Sequence, residues 1–303
     1  MLDIIHYNIA MSSTNLENTV GIILAAGSGS RLFPLTKSVS KQLLPIYDKP
    51  LIYYPLSTLL LMQIKNVHLI VNSHHLSGFR DLLGDGSDFG IEITYHVQEE
   101  PRGLADAFNV VGKQNLSQTN VLILGDNIFY GSGMTGLLEK SLEENKGATV
   151  FGLKSRNLQD FGVPVLDNGK VIEIIEKPED PPSDFAIPGL YIYDHEVFAR
   201  TESLTPSKRG ELEITDLNNT YIQDNALRFV ELPRGVAWFD SGTNETLYSA
   251  NNFVSSVQKS QNILLGSPHE VAFSQGFIDK VKLKEVLKGF SKSEYGAALS
   301  KVI

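Results

Sequence analysis

The sequence contains no cysteine. That absence removes disulfides, thiolate zinc sites and cysteine nucleophiles together. It also fits a reducing compartment, so a cytoplasmic location is expected. Positive charge is scarce: lysine and arginine total 26 against 35 acidic residues, for a formal net charge of −9. The basic footprint of a nucleic-acid binder is missing, so any bound anion must be held by a few placed cations. No apolar run is long enough to span a bilayer, and no membrane partner is expected. The opening stretch, MLDIIHYNIAMSSTNLENT, lacks the basic and apolar regions of a secretory leader. Residues 1–19 therefore read as a polar extension with little structure of its own. The seven histidines show no metal-ligand spacing, and there is no G-x-S-x-G elbow for a serine nucleophile. Covalent nucleophilic catalysis is not expected.

What is present is a chain of 303 residues, 42% hydrophobic and 20% charged, enough for a full core and one large or two coupled domains. Its first half alternates short β-rich runs with helical patterns. Strands are expected at Val20–Ala26, Asn66–Asn72, Ile91–Gln98, Val121–Leu124 and Thr149–Leu153, and helices at Pro50–Ile64, from Leu104 to about Gln114 and at Met134–Glu144. Such alternation means βαβ units: a Rossmann-like, mostly parallel α/β sheet flanked by helices. The second half is richer in β structure. Val163–Leu166 and Lys170–Ile175 flank Asp167-Asn168-Gly169, a hairpin turn, and strands follow at Ala186–Tyr193 and Ala226–Leu232. A helix is expected from Glu245 to Gln261, then a helical tail in pieces (Ile278–Leu287, Lys292–Leu299). With no linker in sight, residues 20–262 read as one α/β unit. Its first half runs to about residue 155, the β-richer half follows around a shared cleft, and residues 263–303 form a helical tail.

Ligands of open parallel sheets sit at the carboxyl ends of the strands, so the strand ends carry the candidates. After the first strand comes Gly27-Ser28-Gly29-Ser30-Arg31. Position 32 is Leu rather than Gly, which excludes the dinucleotide fingerprint, and Leu32-Phe33-Pro34 excludes the Walker loop. The remaining reading is a glycine-rich phosphate loop of another kind, with Arg31 supplying charge. Asp126 follows four apolar residues in LILGDN, and Asp240 occupies the same kind of place in AWFDSGT. Two such carboxylates, with water and phosphate oxygens, suit Mg²⁺, which keeps few protein ligands. Lys41, Lys177 and Arg209 are the other candidate cations. Glu176-Lys177-Pro178 pairs an acid for hydroxyls with a cation for phosphate. Tyr53-Tyr54 and Trp238-Phe239 read as core.

Taken together, GIILAAGSGSRLFPLT, SKQLLPIYDKPLIYYPLSTL, LLGDGSDFGIEITYHVQ, LILGDNIFYG, EKP, GLYIYD, RGELEITDLN and AWFDSGT resemble the glucose-1-phosphate thymidylyltransferase family over residues 20–303. The opening loop belongs to sugar nucleotidyltransferases at large; SKQLLPIYDKP, LGDNIFYG and RGELEITD are more specific to the thymidylyl branch. The resemblance implies transfer of thymidylate from dTTP to glucose 1-phosphate, Mg²⁺ dependence, a homotetramer and feedback by dTDP-rhamnose. By residue, it implies that Gly27, Ser28, Gly29, Ser30 and Arg31 cradle the triphosphate and that Lys41 neutralises it. Gln42, Gln98 and Gly103 would hold the base and deoxyribose. Asp126 and Asp240 would hold Mg²⁺. Asn127, Gly162, Glu176 and Lys177 would hold the sugar phosphate, with Arg209 near it, and Tyr130, Gly131 and Arg234 would mark an effector pocket. Arg102 stands where the family commonly has an acid, Pro188 where it commonly has Thr, and Pro164 interrupts FGVPVLD. Two rivals remain: uridylyl transfer to the same sugar phosphate, and a catalytically silent subunit that senses nucleotide sugars. The intact set Arg31, Lys41, Asp126, Lys177 and Asp240 argues against the second.

Overall fold

The computed structural model describes residues 18–303. The expected N-terminal extension lies outside the described residues as far as residue 17, and Thr19, placed within it, already opens the first strand. From there the chain runs β1 (Thr19–Ala25), β2 (Pro45–Ile46), β3 (Lys49–Pro50), α1 (Tyr53–Leu61), β4 (Asn66–Val71), α2 (Leu76–Leu83), β5 (Glu92–Val97), α3 (Asp106–Val111), β6 (Thr119–Leu124), β7 (Asn127–Tyr130) and α4 (Met134–Glu143). It continues with β8 (Ala148–Lys154), β9 (Gly162–Asp167), β10 (Lys170–Glu176), β11 (Phe185–Ala186), β12 (Leu190–Asp194), α5 (Val197–Glu202), α6 (Ile214–Gln223), β13 (Leu227–Glu231) and β14 (Ala237–Asp240). The helices α7 (Asn244–Gln261), α8 (Pro268–Ser274), α9 (Lys280–Leu287) and α10 (Glu294–Leu299) close it.

The central sheet has eight strands in the order β11-β8-β12-β6-β1-β4-β5, with β13 added on β8. β5, β4, β1 and β6 are mutually parallel, and β12 runs antiparallel between β6 and β8. β1 is buried along its whole length, as expected of a parallel strand covered on both faces. That double cover explains why its sequence, TVGIILA, is apolar without alternation. The tail is part of the same core: Val271, Leu283, Tyr295 and Leu299 pack in one cluster with Ile23, Leu56 and Leu69.

The expected single strand at Ala186–Tyr193 is instead two, β11 and β12. Pro188 sits between them, has no N–H to give a ladder and breaks the pairing. α2, α5 and α6 were not expected from periodicity. Nor was the small antiparallel pair β7/β14, which matters most for the site: its register sets Asp240 opposite Asn127. No helix among the described residues is long and apolar enough to cross a membrane.

Candidate active site

The carboxyl ends of β1, β5 and β6 meet on one rim of the sheet. After β1 the chain turns through Gly29, whose φ of 61° lies in the left-handed region that suits glycine. Thr36 holds the turn by donating to the Gly29 carbonyl at 2.7 Å. Gly27, Ser28 and Ser30 are exposed around it, as is Arg31. The backbone N–H groups of such a loop are available to an anion.

Lys41 and Gln42 begin a short helical turn, and both are buried. Lys41 Nζ donates to Asp126 Oδ2. The side chains are only 10% and 17% exposed, so removing either partner would strand a charge, at about 3–5 kcal/mol. Asn127 Nδ2 donates to the other oxygen, Asp126 Oδ1, at 2.8 Å. Burial would push the Asp126 carboxyl up, but the Lys41 ammonium and these hydrogen bonds outweigh it and hold the group below its ordinary range.

The β7/β14 pairing brings Asp240 to the same place, and Ser241 N–H donates to the Asp126 carbonyl at 3.2 Å. Burial and the adjacent Asp126 charge push Asp240 up to about 6, against the pull of Lys41 and Arg31. Its Oδ1 is buried and has no hydrogen-bond partner. Arg31 reaches the same spot: a Cβ at Gly242 would lie 2.7 Å from Arg31 Nη2 and 2.8 Å from Asp240 Oδ1. A buried carboxylate oxygen without a donor, beside a second carboxylate, is a polar group that a divalent cation would satisfy. No group of three or more acidic or histidine ligands gathers among the described residues, so the protein would contribute only the two carboxylates.

A second cluster forms where the β9/β10 hairpin meets α6. Glu176 Oε2 accepts from Thr215 Oγ1 at 2.6 Å, and Glu176 Oε1 lies 3.7 Å from Lys177 Nζ. Gly162 stands opposite Glu176 in the hairpin. Lys177 is half exposed, and its φ of 46° is unusual for a residue other than glycine. Arg209 is gripped by both oxygens of Glu213, at 3.0 and 2.9 Å, and lies 4.0 Å from Glu176 Oε1. The two clusters touch: Asp160 adds negative charge at Asp240, and the Phe161 ring packs edge-on against Trp238 of β14 at 4.7 Å.

Gln98, at the end of β5, is buried and donates to Asp106 Oδ2 at 2.8 Å. Gly103 follows with φ 101°, and a Cβ there would fall 2.3 Å from the Leu212 carbonyl oxygen. Asn127 is 2% exposed and fully engaged, since its Oδ1 accepts from Gly189 N–H at 3.0 Å and Trp238 Nε1 at 2.6 Å. Its direct effect is to orient Asp126. Tyr130 and Gly131 line a cavity of about 190 Å³ together with Glu270, whereas Arg234 lies on an exposed turn. Sequence reasoning missed Asp106, Thr215 and Glu213, which hold the predicted residues. It also read Trp238 only as core. Thr215 reaches Glu176 from 39 residues away, which no local pattern marks, whereas Glu213 stands four residues after Arg209 and Asp106 four after Arg102, a charge spacing that could have flagged both.

Comparisons with known proteins place the chain in a family. The sequence pattern of the Nucleotidyl transferase family matches residues 20–257. A glucose-1-phosphate thymidylyltransferase of Neisseria meningitidis is 47% identical, over 93% of this chain and 99% of its own. One from Mycolicibacterium smegmatis is 45% identical, over 93% and 98%. A crystal structure described as a glucose-1-phosphate thymidylyltransferase of Bacillus anthracis, in complex with sucrose, superposes with a TM-score of 0.74 at 37% identity, covering 83% of this chain and 98% of that one. A UDP-glucose pyrophosphorylase shares the fold at a TM-score of 0.70 and 21% identity. With this pattern over residues 20–257 and relatives at 45–47% identity over most of their length, the chain belongs to the Nucleotidyl transferase family.

Proposed function

We propose that the protein forms dTDP-glucose and pyrophosphate from dTTP and glucose 1-phosphate. The observation that carries this reading is the convergence of Arg31, Lys41, Asp126 and Asp240 at the end of β1 and β6, with one Asp240 oxygen left unpaired. The names of the relatives support the choice of nucleotide and sugar phosphate.

A phosphate oxygen of glucose 1-phosphate attacks the α-phosphorus of dTTP. The bond to the bridging oxygen breaks, and pyrophosphate leaves with its electrons. No base is needed, because the attacking phosphate is already anionic; the obstacle is repulsion between two polyanions. The β1 loop N–H groups and Arg31 hold the triphosphate against that repulsion. Lys41 keeps Asp126 charged and adds its own positive field. Lys177, flanked by Glu176, faces the sugar phosphate, and Arg209 supports it from the Glu213 grip. Asp126 and Asp240 would hold Mg²⁺, which supplies charge neutralisation at the phosphate oxygens. Alignment of the two phosphates can itself supply several kcal/mol, about 7–11 for well-oriented groups.

The remaining parts of the reading follow the same division of labour. Residues 20–262 form the catalytic unit, nucleotide half first and sugar-phosphate half after about 155; residues 263–303 are an interface or regulatory tail, and the chain works as a homotetramer. Tyr130 and Gly131, on the 190 Å³ cavity, and Arg234 belong to an effector site for feedback by dTDP-rhamnose. Pyrophosphate release in mixtures of dTTP or UTP with glucose 1-phosphate tests the reading. Release that needs both dTTP and the sugar phosphate supports it; none under any divalent cation overturns it.

A further inference from the structure

Asp106 opens α3 and is 2% exposed. A carboxylate buried that deeply needs a reason to be there. Its Oδ2 accepts from Gln98 Nε2 at 2.8 Å and from Arg102 Nε at 3.2 Å, and its Oδ1 accepts from Asn109 Nδ2 at 3.4 Å. A carboxylate can only accept, so the nitrogen end of the Gln98 amide must face it. The two ends of a glutamine amide are otherwise interchangeable in shape. Asp106 therefore decides which end of Gln98 points where. The rest of the amide, Oε1 and the second hydrogen on Nε2, enters no hydrogen bond among the described residues. Nor is Oε1 among the buried atoms that lack a partner, so it is open to a ligand at the rim.

We infer that Asp106 is a positioning residue which locks Gln98 so that it offers an acceptor beside a donor, the complement of the N3–H and O4 edge shared by thymine and uracil. Cytosine presents an acceptor at N3 and a donor at N4, the reverse pattern, and would be mismatched at both atoms. Mismatched polar groups in a buried contact are costly. Thymine and uracil present the same edge, so this device separates both from cytosine and not from each other. Arg102, whose side chain is 62% exposed, secures Asp106 from the solvent side. The Arg102 carbonyl accepts from Leu212 N–H at 2.8 Å, which ties the base-reading loop to the segment that carries Arg209.

The inference rests on the thymidylyl-transfer reading above, and its test keeps the two apart. Calorimetric binding of dTTP and of dCTP is measured on the full chain, alongside pyrophosphate release with glucose 1-phosphate, for the parent and for Asp106→Asn. An asparagine can turn either end of its amide to Gln98, which frees Gln98 to flip. The preference for dTTP over dCTP should fall by about tenfold or more, through nucleotide Kd and KM. The KM for glucose 1-phosphate should stay at the parental value, which a general loss of structure would not permit. Asp106→Ser, whose hydroxyl also donates or accepts, repeats the test if the asparagine variant does not fold. A parent that binds both nucleotides equally, or folded variants that keep the parental preference, would overturn the inference. If the variants keep the preference while the parent makes dTDP-glucose, only the role of Asp106 falls. If binding preference is present and lost as expected but glucose 1-phosphate is never consumed, Asp106 keeps its role and the transfer reading falls.

Discussion

Lys177 holds a backbone conformation, φ 46°, that non-glycine residues adopt at a cost of about 1–3 kcal/mol. Its amide donates to the Phe161 carbonyl at 3.0 Å, so the strain is held by the hairpin and aims the ammonium. With Glu176 at 3.7 Å, it suits a sugar phosphate rather than a buried ion pair. Lys177→Ala should raise KM for glucose 1-phosphate and lower kcat, with a combined loss of about a hundredfold or more, while dTTP binding stays nearly parental. Steady-state kinetics with each substrate varied decides it, and a variant with parental kinetics removes Lys177 from the mechanism. Asp240→Asn keeps the shape and removes a charge from the proposed Mg²⁺ site. Its defect should shrink as Mg²⁺ is raised, because weaker binding yields to mass action; a defect indifferent to Mg²⁺ concentration would refute the ligand role.

Among the elements, the parallel strands were the most legible. β1, β4 and β6 read as apolar runs because both faces are covered, and the parallel pairing sets the ends of β1, β5 and β6, where the sequence placed its candidates, on one edge of the sheet. The helices α2, α5 and α6 escaped because they are short or carry polar residues on the side that meets solvent. Two of the decisive arrangements had residues the sequence named but a structural cause it did not show. The β7/β14 pair joins segments far apart in the chain, so no local pattern says that Asp126 and Asp240 meet. Gly103 was picked out, but its reason was not: it lies against the Leu212 backbone, where a Cβ would come within 2.3 Å of a carbonyl oxygen. Gly103→Ala adds that clash to an unfavourable φ of 101°. It should lower stability by about 1–3 kcal/mol, and it should weaken dTTP binding because the Gln98–Arg102 segment loses its support. Urea unfolding and nucleotide binding measure the two effects; an unchanged unfolding midpoint would show that the contact relaxes freely.

Across the whole molecule, the tail is docked by a polar knot inside the core. Lys49 Nζ donates to Asp48 and, at 2.8 Å, to Gln258 Oε1, and Tyr295 Oη pairs with Ser267 Oγ and with His269 Nδ1 at 2.9 Å. The YDKP end of SKQLLPIYDKP, a stretch that marks the thymidylyl branch, thus anchors α7, while Lys41 from the same stretch pairs with Asp126. Two tail groups make stability depend on pH in opposite senses. Burial lowers His269 from 6.5 to about 4, so its contribution is present above pH 6.5 and lost as pH falls toward 4. Burial raises Glu270 from 4.5 to about 7, so stability is lost as pH rises from 4.5 through 7. The two windows overlap between pH 4.5 and 6.5 and offset each other there, so Glu270→Gln should unmask a rise of stability with pH across that range and remove the loss between 6.5 and 7, as thermal unfolding across pH would report; equal slopes in parent and variant would contradict the assignment. The central claim is that this rim joins a thymidine triphosphate to a sugar 1-phosphate, and the most direct measurement is pyrophosphate release with dTTP and glucose 1-phosphate, with Mg²⁺ present or chelated. The account predicts release that needs both substrates and Mg²⁺, with dTDP-glucose formed in equal amount; dTTP consumption without a nucleotide sugar, or no turnover in any Mg²⁺ concentration, would contradict it.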